Sequence, residues 1–594
     1  MGSILIALVA LAAQVAPRPQ GPAASIEGIV VKMGSGEPLA GAKVTLDAAQ
    51  VSPGEGAVPC PSAPVQAYPN RCAPSTATTG RDGKFILDNV LPGSYRLIAT
   101  RTGGYVPAEY GQRSPTGEGI SLEIVAGQKM TGIQLAMAPT GSIAGRVYDR
   151  DGEPLGRAQV QALRSVYRNG RRTMTIVQSV ETNDRGEYRL FWLAPGPYYI
   201  SARPDIPEQP SGLPAGMTGV SAVHITEPAR FGTREQASMP VIRKRTLRSG
   251  EVEEETYVAV YHPGTLETGA ASAIFVGAGA AVSGIDIPVG AGVVPVRHIS
   301  GRAIDGENGQ PLIGEIMAIP LAREAHLIVP RVRSDANGLF DISGAVQGSY
   351  LVTASNGRLS GMVPVEVGNR DLQNIAVVAT SGFKLSGRFT IEGRSRSGND
   401  PKISDLRVNR LIRDREFLGM PPAGPSFSPP PSEDGSFTLE GIGLGDFQVT
   451  VRGVPQDGYV KSMRLGNADV LDDGLHVTGA PENLLEIVVA ANAGTINGSV
   501  VNTRQEPVVN RTVVLVPDLR HRHRTDLYKT VHTDSSGRFR MQGVPPGDYK
   551  LFAWENVETG AWQDSDFMLS YEDRGSPIHI TEDSAGNIQL TVIP

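Results

Sequence analysis

The sequence of 594 residues contains only two cysteines and three tryptophans. Two cysteines without a flanking pair of histidines are too few for a structural zinc site. Long apolar runs are missing too, since no segment approaches the about 18 residues that suggest a membrane-spanning helix. The 55 Lys and Arg and 61 Asp and Glu give a net charge of −6 without long blocks of one sign. We therefore expect no nucleic-acid partner and no anionic membrane surface as a partner.

Glycine and proline are abundant by contrast. The 70 glycines and 45 prolines form about a fifth of the chain, well above the roughly 12% of average proteins. Because 40% of the residues are hydrophobic, this composition indicates a folded chain with many turns. At roughly 100–200 residues per domain, the length predicts several domains in series.

The first residues have the character of a targeting segment. An apolar run of about ten residues follows Met1 and gives way to Pro-rich sequence near Ala16. This run is too short to span a bilayer and predicts a secretory signal peptide at 1–16; a short buried strand is the alternative. We therefore expect an exported protein without a transmembrane segment, located in the periplasm, at the outer surface or outside the cell.

Cys60 and Cys72 are the two cysteines, and they enclose a loop of 13 residues. In an oxidising compartment a disulfide between them would stabilise the fold by roughly 3 kcal/mol in the chain-entropy model. We predict this disulfide, with two free or buried thiols as the alternative.

A pattern of Gly-x-aromatic, usually after a turn with Thr or Ser and an Asp or Asn, occurs five times. Ten residues after each glycine comes a second glycine, two positions before another aromatic residue. The five copies are Gly83 and Phe85 with Gly93 and Tyr95, Gly186 and Tyr188 with Gly196 and Tyr198, Gly338 and Phe340 with Gly348 and Tyr350, Gly435 and Phe437 with Gly445 and Phe447, and Gly537 and Phe539 with Gly547 and Tyr549. The fixed interval predicts a β-hairpin, because one added residue would turn an aromatic side chain from the core to solvent.

Each hairpin is preceded by a predicted strand with a central glycine. These strands contain Gly28-Ile-Val30, Gly145-Arg-Val147, Gly301-Arg-Ala303, Gly387-Arg-Phe389 and Gly498-Ser-Val500. A turn such as Gly36-Glu-Pro-Leu-Ala-Gly41 and a second strand follow. About seven short strands with Gly and Pro turns in about 100 residues predict a β-sandwich.

The order of these motifs resembles the carboxypeptidase regulatory-like domain, a transthyretin-like (prealbumin-like) sandwich related to the B-type repeats of collagen adhesins. The resemblance covers nearly the whole mature chain, and the first, second and fifth copies match best. It implies a fold rather than an activity: such a domain accompanies the catalytic domain of zinc carboxypeptidases, and it forms stalks or modules in bacterial surface proteins. Related sandwiches include starch-binding domains.

We therefore predict an all-β protein of five tandem transthyretin-like or Ig-like β-sandwich domains after the signal peptide. The predicted domains are 25–138, 139–290 with an insertion at about 205–256, 291–380, 381–492 and 493–594. Because the joints between them are short, we expect a semi-rigid string of sandwiches in line.

We expect no catalytic residues, no metal and no cofactor. His224 and Glu227 fit a short zinc motif with His298 and His326 downstream, but His579-Ile-Thr-Glu582 repeats that tetrapeptide at an ordinary strand end. The acidic run at 251–255 beside the basic run at 243–245 predicts a solvated hairpin or loop. Likewise, the sequence at 149–152 predicts a plain turn rather than a calcium loop.

Two clusters are candidates for binding. Trp554, Trp562 and Tyr571, together with Phe567, lie in the last predicted domain, and exposed aromatic faces stack on sugar rings; packing in a core is the alternative. The basic cluster at 521–524 is a candidate contact for an anionic polysaccharide or a partner, with a flexible hairpin tip as the alternative.

Our first hypothesis for the function is a non-catalytic, exported binding or scaffolding protein of the cell envelope whose ligand is a carbohydrate. The second hypothesis is an adhesin or structural spacer that binds a cell-surface protein. A third is an accessory subunit with an unrecognised enzyme site.

Overall fold

The computed structural model describes residues 23–48, 75–112, 114–117, 119–168, 170–204, 242–246, 252–321, 331–395, 398, 400–412, 428–534 and 536–594. The predicted signal peptide at 1–16 and the predicted disulfide between Cys60 and Cys72 lie outside these residues. The described chain is nearly all β-structure, so the predicted fold class is confirmed. No helix in the described ranges is long and apolar enough to cross a membrane.

Most strands belong to five consecutive pairs of sheets, which we call sheet pairs 1 to 5. Pair 1 contains β1 (Ala24–Lys32), β2 (Lys43–Ala48), β3 (Ser75–Thr78), β4 (Lys84–Val90), β5 (Gly93–Thr100), β6 (Ala108–Glu109), β7 (Leu122–Ile124) and β8 (Lys129–Met137). Pair 2 contains β9 (Gly141–Tyr148), β10 (Ala158–Arg168), β11 (Arg171–Glu181), β12 (Glu187–Leu193), β13 (Gly196–Pro204), β16 (Val260–Tyr261), β17 (Ile274–Val276), β18 (Ala281–Val282) and β19 (Ile287–Pro288). A separate sheet contains β14 (Arg243–Thr246), β15 (Val252–Tyr257) and β20 (Val293–Pro295).

The remaining strands follow the same order. Pair 3 contains β21 (Arg297–Asp305), β22 (Glu315–Pro320), β23 (Arg331–Arg333), β24 (Leu339–Ala345), β25 (Gly348–Ser355), β26 (Ser360–Val367) and β27 (Leu372–Ala379). Pair 4 contains β28 (Phe383–Glu392), β29 (Arg407–Ile412), β30 (Ser436–Ile442), β31 (Gly445–Arg452), β32 (Tyr459–Leu465), β33 (Ala468–Asp469), α1 (Val470–Asp473), β34 (Leu475–Val477) and β35 (Leu485–Ala490). Pair 5 contains β36 (Gly494–Val501), β37 (Thr512–Pro517), β38 (Lys529–His532), β39 (Arg538–Val544), β40 (Gly547–Trp554), α2 (Ser565–Leu569), β41 (Ser576–Ile580) and β42 (Ala585–Thr591).

The first sheet of each pair has one topology. Its central strand pairs with the first hairpin strand on one side and with a late strand of the same pair on the other. These sheets are β4-β1-β8, β12-β9-β18, β24-β21-β27, β30-β28-β35 and β39-β36-β42. In pair 1, β1 is antiparallel to β4 and parallel to β8. Pair 4 extends its sheet further with β32 and β33.

Apolar side chains from both sheets of a pair form a core between them. In pair 1 this core includes Ile26 and Leu135 from one sheet and Val44 and Leu97 from the other. Corresponding cores occupy pairs 3, 4 and 5. Two-sided packing of alternating strands is the arrangement that the sequence predicted for a β-sandwich.

The turn before each hairpin strand depends on its glycine. Gly83 and Gly186 have φ of 71° and 70°, in the left-handed region, and a Cβ there would lie 2.7 and 2.6 Å from the carbonyl oxygens of Val30 and Val147. A side chain at either position would therefore strain the backbone and collide with the neighbouring strand.

A buried hydroxyl group ties the same turn to the strand before it. Thr79 Oγ1 donates to Leu39 O at 2.6 Å and accepts from Ala42 N at 2.9 Å. Thr182, Ser334 and Thr533 make the corresponding pair of hydrogen bonds in pairs 2, 3 and 5. The Thr or Ser of the motif is thus a structural element of the sandwich.

By its packing the chain divides into two compact units. One comprises Met1–Gly141 with Trp192–Pro195 and Gly277–Ala280, and the other comprises the remaining residues. Sheet pair 1 belongs to the first unit, and sheet pairs 3, 4 and 5 lie wholly in the second. The division into five separate domains stays a prediction.

Within the second unit, polar contacts join neighbouring sheet pairs. Between pairs 4 and 5, Glu582 accepts hydrogen bonds from Tyr459 at 3.1 Å and Asn492 at 3.0 Å, and it forms an ion pair with Lys461 at 3.0 Å. Arg524 of pair 5 also forms an ion pair with Asp472 of pair 4 at 2.7 Å. These contacts brace the two sheet pairs against each other.

The second unit also contains a contact between sheet pairs that are distant in sequence. The hairpin of β10 and β11 reaches the segment 555–575 of pair 5, where the rings of Tyr167 and Phe567 lie 6.2 Å apart in an edge-on arrangement. Gly560 lies against Tyr167, and Gly170 lies against the carbonyl of Gln563. We call this contact the clasp. The expectation of a string of sandwiches in line was wrong for this unit, because such a string keeps pairs 2 and 5 apart.

The insertion in pair 2 contains the predicted solvated hairpin. β14 and β15 are antiparallel, with Lys244 opposite Glu254 and Arg245 opposite Glu253. Lys244 Nζ lies 3.2 Å from a carboxylate oxygen of Glu254. Opposite charges on facing strands favour this pairing over other registers.

Candidate functional site

The aromatic residues predicted as a sugar platform lie in a core. Trp554 is 1% exposed and Trp562 is 7% exposed, while Tyr571 is half-buried against them. They pack on Val514 and Val516, on the face of β37 and β40 opposite to the main core of pair 5. A ring face covered by protein does not stack on a sugar, so the structure favours the alternative of core packing.

Ring geometry supports this assignment. Phe552 and Trp554 are stacked with centroids 5.1 Å apart and planes 10° apart, and Tyr571 meets Trp554 edge-on at 5.8 Å. Phe567 lies 4.9 Å from Tyr571. The segment 555–575 therefore folds back over the outer sheet face and forms a second, aromatic core.

The basic cluster at 521–524 is neutralised by neighbouring groups. Arg522 pairs with Glu572 at 2.6 Å, and Arg524 pairs with Asp472 and with Asp526, each at 2.7 Å. His521 lies 2.9 Å from Asp518, within short 3-10 turns. The cluster is thus neither a flexible tip nor an open surface for an anion.

The zinc motif considered in the sequence is only partly within the described residues. His224, Glu227 and His326 lie outside them. His298 is described, and both of its ring nitrogens face carboxylates. Among the described residues no three His, Cys, Asp or Glu side chains form a group that could hold a metal ion.

The sequence at 149–152 forms the predicted plain turn. The Asp149 carboxylate accepts from the backbone N–H groups of Asp151 at 2.9 Å and Glu153 at 3.0 Å. The Oδ1 atom of Asp149 therefore accepts hydrogen bonds within the turn itself.

A cleft of about 490 Å³ lies beside α1 in pair 4 and includes His523 of pair 5. Its polar groups already serve the fold. The Asp469 carboxylate caps α1 by accepting from the backbone N–H groups of Leu471 and Asp472, and Asp472 pairs with Arg524. This cleft is a joint between sheet pairs rather than a candidate site.

A larger groove, of about 650 Å³, lies on sheet pair 2. It is lined by residues of β9 and β12, by the end of β11 and by the segment between β18 and β19. We call it the pair 2 groove. Strands and short turns supply all of its lining residues, so their positions are fixed by the sheets.

Close backbone packing shapes one side of the groove. A Cβ on Gly145 would lie 3.1 Å from Ile285 Cα and closer still to its carbonyl group. Tyr188, which replaces the phenylalanine of the other four copies, donates its hydroxyl proton to Ile285 O at 2.6 Å. Burial raises the pKa of Tyr188, so its hydroxyl stays protonated and holds this segment in place.

Charged groups in the groove alternate in sign. Arg146 Nη2 lies 2.7 Å from Glu187 Oε1, and Asn183 donates to the other Glu187 oxygen at 3.1 Å. Asp286 Oδ1 accepts from the backbone N–H of Arg146 at 2.9 Å. Hydrogen bonds from Asn183 and Arg146 lower the pKa of Glu187, so this group is a carboxylate at neutral pH.

Three further side chains of the groove are available to a ligand. Arg189 and Glu181 are exposed, and neither forms a hydrogen bond or an ion pair with another described side chain. Tyr148 is half-buried and interacts through its hydroxyl with Arg146. The groove thus offers a free cation, a free carboxylate and an aromatic ring beside an ordered polar network.

Sequence reasoning did not find this groove. Its residues come from three segments, 144–148, 180–189 and 283–286, whose proximity depends on strand pairing. It also did not single out Trp192, which is 65% exposed and has a φ of 54°. One feature of the sequence pointed to the groove: residue 188 is a tyrosine, where the other four copies have phenylalanine.

Comparison with known proteins finds a family likeness in two segments of the chain. A family model of the carboxypeptidase regulatory-like domain matches residues 25–131 and 495–565. Two segments of the chain are thus similar to this domain family. The matched segments fall within sheet pairs 1 and 5, so the resemblance in the sequence is confirmed there. The matched segments do not include the pair 2 groove. No relative of the chain is found among curated proteins.

Several solved structures are similar to the chain at low identity. A streptococcal ancillary pilin shares 12% identity over 60% of this chain and 98% of its own, with a TM-score of 0.18. The full-length major pilin of Streptococcus pneumoniae shares 8% over 97% of this chain and 100% of its own, with a TM-score of 0.17. A putative carbohydrate binding protein from Pseudomonas aeruginosa shares 15% over 17% of this chain and 88% of its own, with a TM-score of 0.12. At these TM-scores none of them supports an inference about function.

Proposed function

We propose that the protein is an exported, non-catalytic binding and scaffolding protein of the cell envelope, and that the pair 2 groove binds a polysaccharide. The observation that carries this proposal is the composition of the groove. Alternating cationic, anionic and amide groups lie beside the ring of Tyr148 on a rigid sheet surface.

Sugar hydroxyl groups both donate and accept hydrogen bonds, which suits a site with Arg and carboxylate groups side by side. Arg189 supplies donors and Glu181 supplies acceptors, and neither first has to break an ion pair with a described residue. The half-buried ring of Tyr148 gives an apolar face for the C–H groups of a sugar. The near balance of charges in the groove favours a neutral polysaccharide over a strongly anionic one.

Pull-down of the full chain with insoluble polysaccharides, followed by a glycan array, tests the proposal. We expect Arg189→Ala and Tyr148→Ala each to weaken binding by about tenfold, which corresponds to about 1.4 kcal/mol. Arg540→Ala is the matched control, because Arg540 follows the first glycine of its hairpin by three residues, as Arg189 does. Equal binding by all variants, or no binding by the full chain, would reject the groove as a polysaccharide site.

A spacer that binds a cell-surface protein is the second candidate. The braced joint of Glu582 with Lys461 and the clasp favour it, because a spacer must hold its modules at fixed positions. Chemical crosslinking in intact cells would distinguish the candidates. A crosslinked protein whose capture survives Arg189→Ala supports the spacer, whereas loss of that capture would show that the groove binds a protein and would count against a polysaccharide ligand.

Export is part of the proposal and has its own test. We expect the mature chain, recovered from the periplasm or the medium, to begin shortly after the apolar run that follows Met1. N-terminal sequencing measures this directly, and a chain that keeps Met1 in the cytoplasm would contradict export.

A further inference from the structure

His298 connects two sheets of the second unit. It lies in β21 of pair 3, and its Nδ1 is 2.8 Å from Asp341 Oδ1 on β24. Its Nε2 is 3.1 Å from Glu254 Oε2 on β15 of the inserted sheet. One imidazole ring thus spans the gap between two carboxylates of different sheets.

This geometry requires a charged ring. A neutral imidazole has one N–H donor and one lone pair, so one of its nitrogens would face a carboxylate oxygen without a proton between them. Only the imidazolium form donates to Asp341 and Glu254 at the same time. The two hydrogen bonds of the ring therefore depend on the proton of His298.

The charged groups around this contact have defined partners. Lys244 Nζ on β14 lies 3.2 Å from the other carboxylate oxygen of Glu254, Oε1, and Asp371 accepts from the backbone N–H of His298 at 3.0 Å. Arg297, next to His298, lies 3.8 Å from Glu253 of the hairpin. Burial lowers the pKa of His298, but the hydrogen bonds to Asp341 and Glu254 outweigh burial and raise the pKa above its ordinary value. At Glu254 burial raises the pKa, but the hydrogen bonds to His298 and Lys244 outweigh burial and lower the pKa below its ordinary value.

We propose that His298 is a pH-sensitive pin, which tightens the contact of the β14–β15 hairpin with sheet pair 3 when protonated and loosens it when neutral. The inserted sheet stays attached through β20, because Thr256 and Tyr257 of β15 pair with Val294 and Val293. The backbone N–H of Val296 also donates to Glu254 O at 2.9 Å. The change on deprotonation is therefore local: the Glu254 side chain leaves the ring, and the end of the hairpin at residues 252–253 loosens. This device is independent of the proposed ligand.

The direction of the pH effect follows from the shift. A group whose pKa is raised in the folded protein stabilises it fully below the unfolded pKa, which is about 6.5 for histidine. That contribution disappears as the pH rises through the folded pKa. The pin is thus closed below the unfolded pKa and opens as the pH rises through the raised pKa of the folded protein.

Hydrogen exchange of the full chain, measured by mass spectrometry at pH 6 and pH 8.5 and corrected for the intrinsic rate, tests the pin. We expect residues 252–253 of the wild type to exchange faster at the higher pH, by about tenfold for each unit by which the pKa of His298 is raised in the folded protein. Residues 255–257, which pair with β20, should exchange at the same rate at both values. His298→Gln should show fast exchange at both values. His579→Gln is the matched control, because His579 lies 2.7 Å from Asp548 in an exposed pair within sheet pair 5.

Asp341→Asn is a second variant that keeps the ring and the fold. It should move the transition to lower pH, because one of the two carboxylates that favour the proton is gone. Titration of the imidazole C–H signal of His298, assigned by its loss in His298→Gln, measures the pKa directly. Exchange in the wild type that does not depend on pH, or a pKa at or below 6.5, would overturn the proposal.

Discussion

Gly498 and Phe539 face each other across the antiparallel pair of β36 and β39, and the ring of Phe539 covers the place where a side chain of residue 498 would be. A Cβ at this position would also lie 2.6 Å from Ile588 O on the parallel neighbour β42. Gly28 faces Phe85 in the same way in pair 1, and Gly387 faces Phe437 in pair 4. The glycine of the strand before each hairpin and the aromatic residue of the Gly-x-aromatic motif are therefore the two partners of one contact in these sheet pairs.

We expect Gly498→Ala to destabilise sheet pair 5 by about 1–3 kcal/mol, the usual range for forcing a methyl group into a packed core. Chemical denaturation followed by tryptophan fluorescence reports on this region, since Trp554 and Trp562 lie in it. Gly479→Ala is the matched control, because a Cβ there has no atom within 4 Å. A stability of Gly498→Ala equal to that of the control would show that the ring can move aside.

Much of the sandwich was predictable because its determinants are local. The turn glycine, the aromatic residue two positions later and the fixed interval of ten all depend on backbone geometry within one hairpin. A β-bulge, where the pairing of the first hairpin strand with the central strand shifts register in pairs 1, 3, 4 and 5, was not predicted. Six residues after each turn glycine a residue has positive φ, namely Asn89, Trp192, Gly344, Gly441 and Gly543. Glycine and asparagine suit this conformation, whereas tryptophan does not, so no single residue type marks the position.

The hydroxyl of Thr533 gives a second stability prediction. It donates to Val508 O at 2.8 Å and accepts from Arg511 N at 2.9 Å, and Thr533 is buried. Thr533→Val keeps the shape but leaves both backbone groups without this partner, which should cost about 1–3 kcal/mol in the free energy of unfolding. Thr530→Val, at an exposed position of the neighbouring strand β38, controls for the change of residue type. The prediction fails if both variants unfold at the same denaturant concentration.

The candidate sites were harder to predict because their contacts are distant in sequence. The chain alone shows a basic cluster at 521–524, but Asp472, which pairs with Arg524, is 52 residues away on another sheet pair. Similarly, the composition of a segment does not distinguish an exposed tryptophan from a buried one. Trp554 is covered by the segment that follows it, and this depends on the path of residues 555–575.

Glu582 gives a prediction on acid stability at the joint of pairs 4 and 5. Hydrogen bonds from Lys461, Asn492 and Tyr459 lower the pKa of Glu582. A lowered pKa stabilises the fold above the unfolded value of about 4.3, and this contribution is lost as the pH falls through the folded pKa. Glu582→Gln should therefore be less stable than the wild type at pH 7, and the difference should shrink below about pH 4.

Thermal unfolding between pH 7 and pH 3 measures this difference. Glu440→Gln is the control, since Glu440 pairs with Lys384 at 2.9 Å on an exposed surface within one sheet pair. If the difference between Glu582→Gln and the wild type stayed constant over the whole pH range, the carboxylate would not be the group that stabilises the joint.

The clasp between pairs 2 and 5 gives a prediction on local opening. Tyr167 and Phe567 make an edge-on ring contact at 6.2 Å, and pairs of this kind contribute about 0.5–1.5 kcal/mol. Tyr167→Ala should therefore free the tip of the β10–β11 hairpin without unfolding either sheet pair. Limited trypsin digestion reports this opening, because Arg171 and Arg172 at the tip should be cleaved several-fold faster. Phe275→Ala, which removes a ring that is 71% exposed, should leave the cleavage rate unchanged. An unchanged rate in Tyr167→Ala as well would mean that the ring contact does not hold the hairpin, and that its close backbone packing against Gln563 is sufficient.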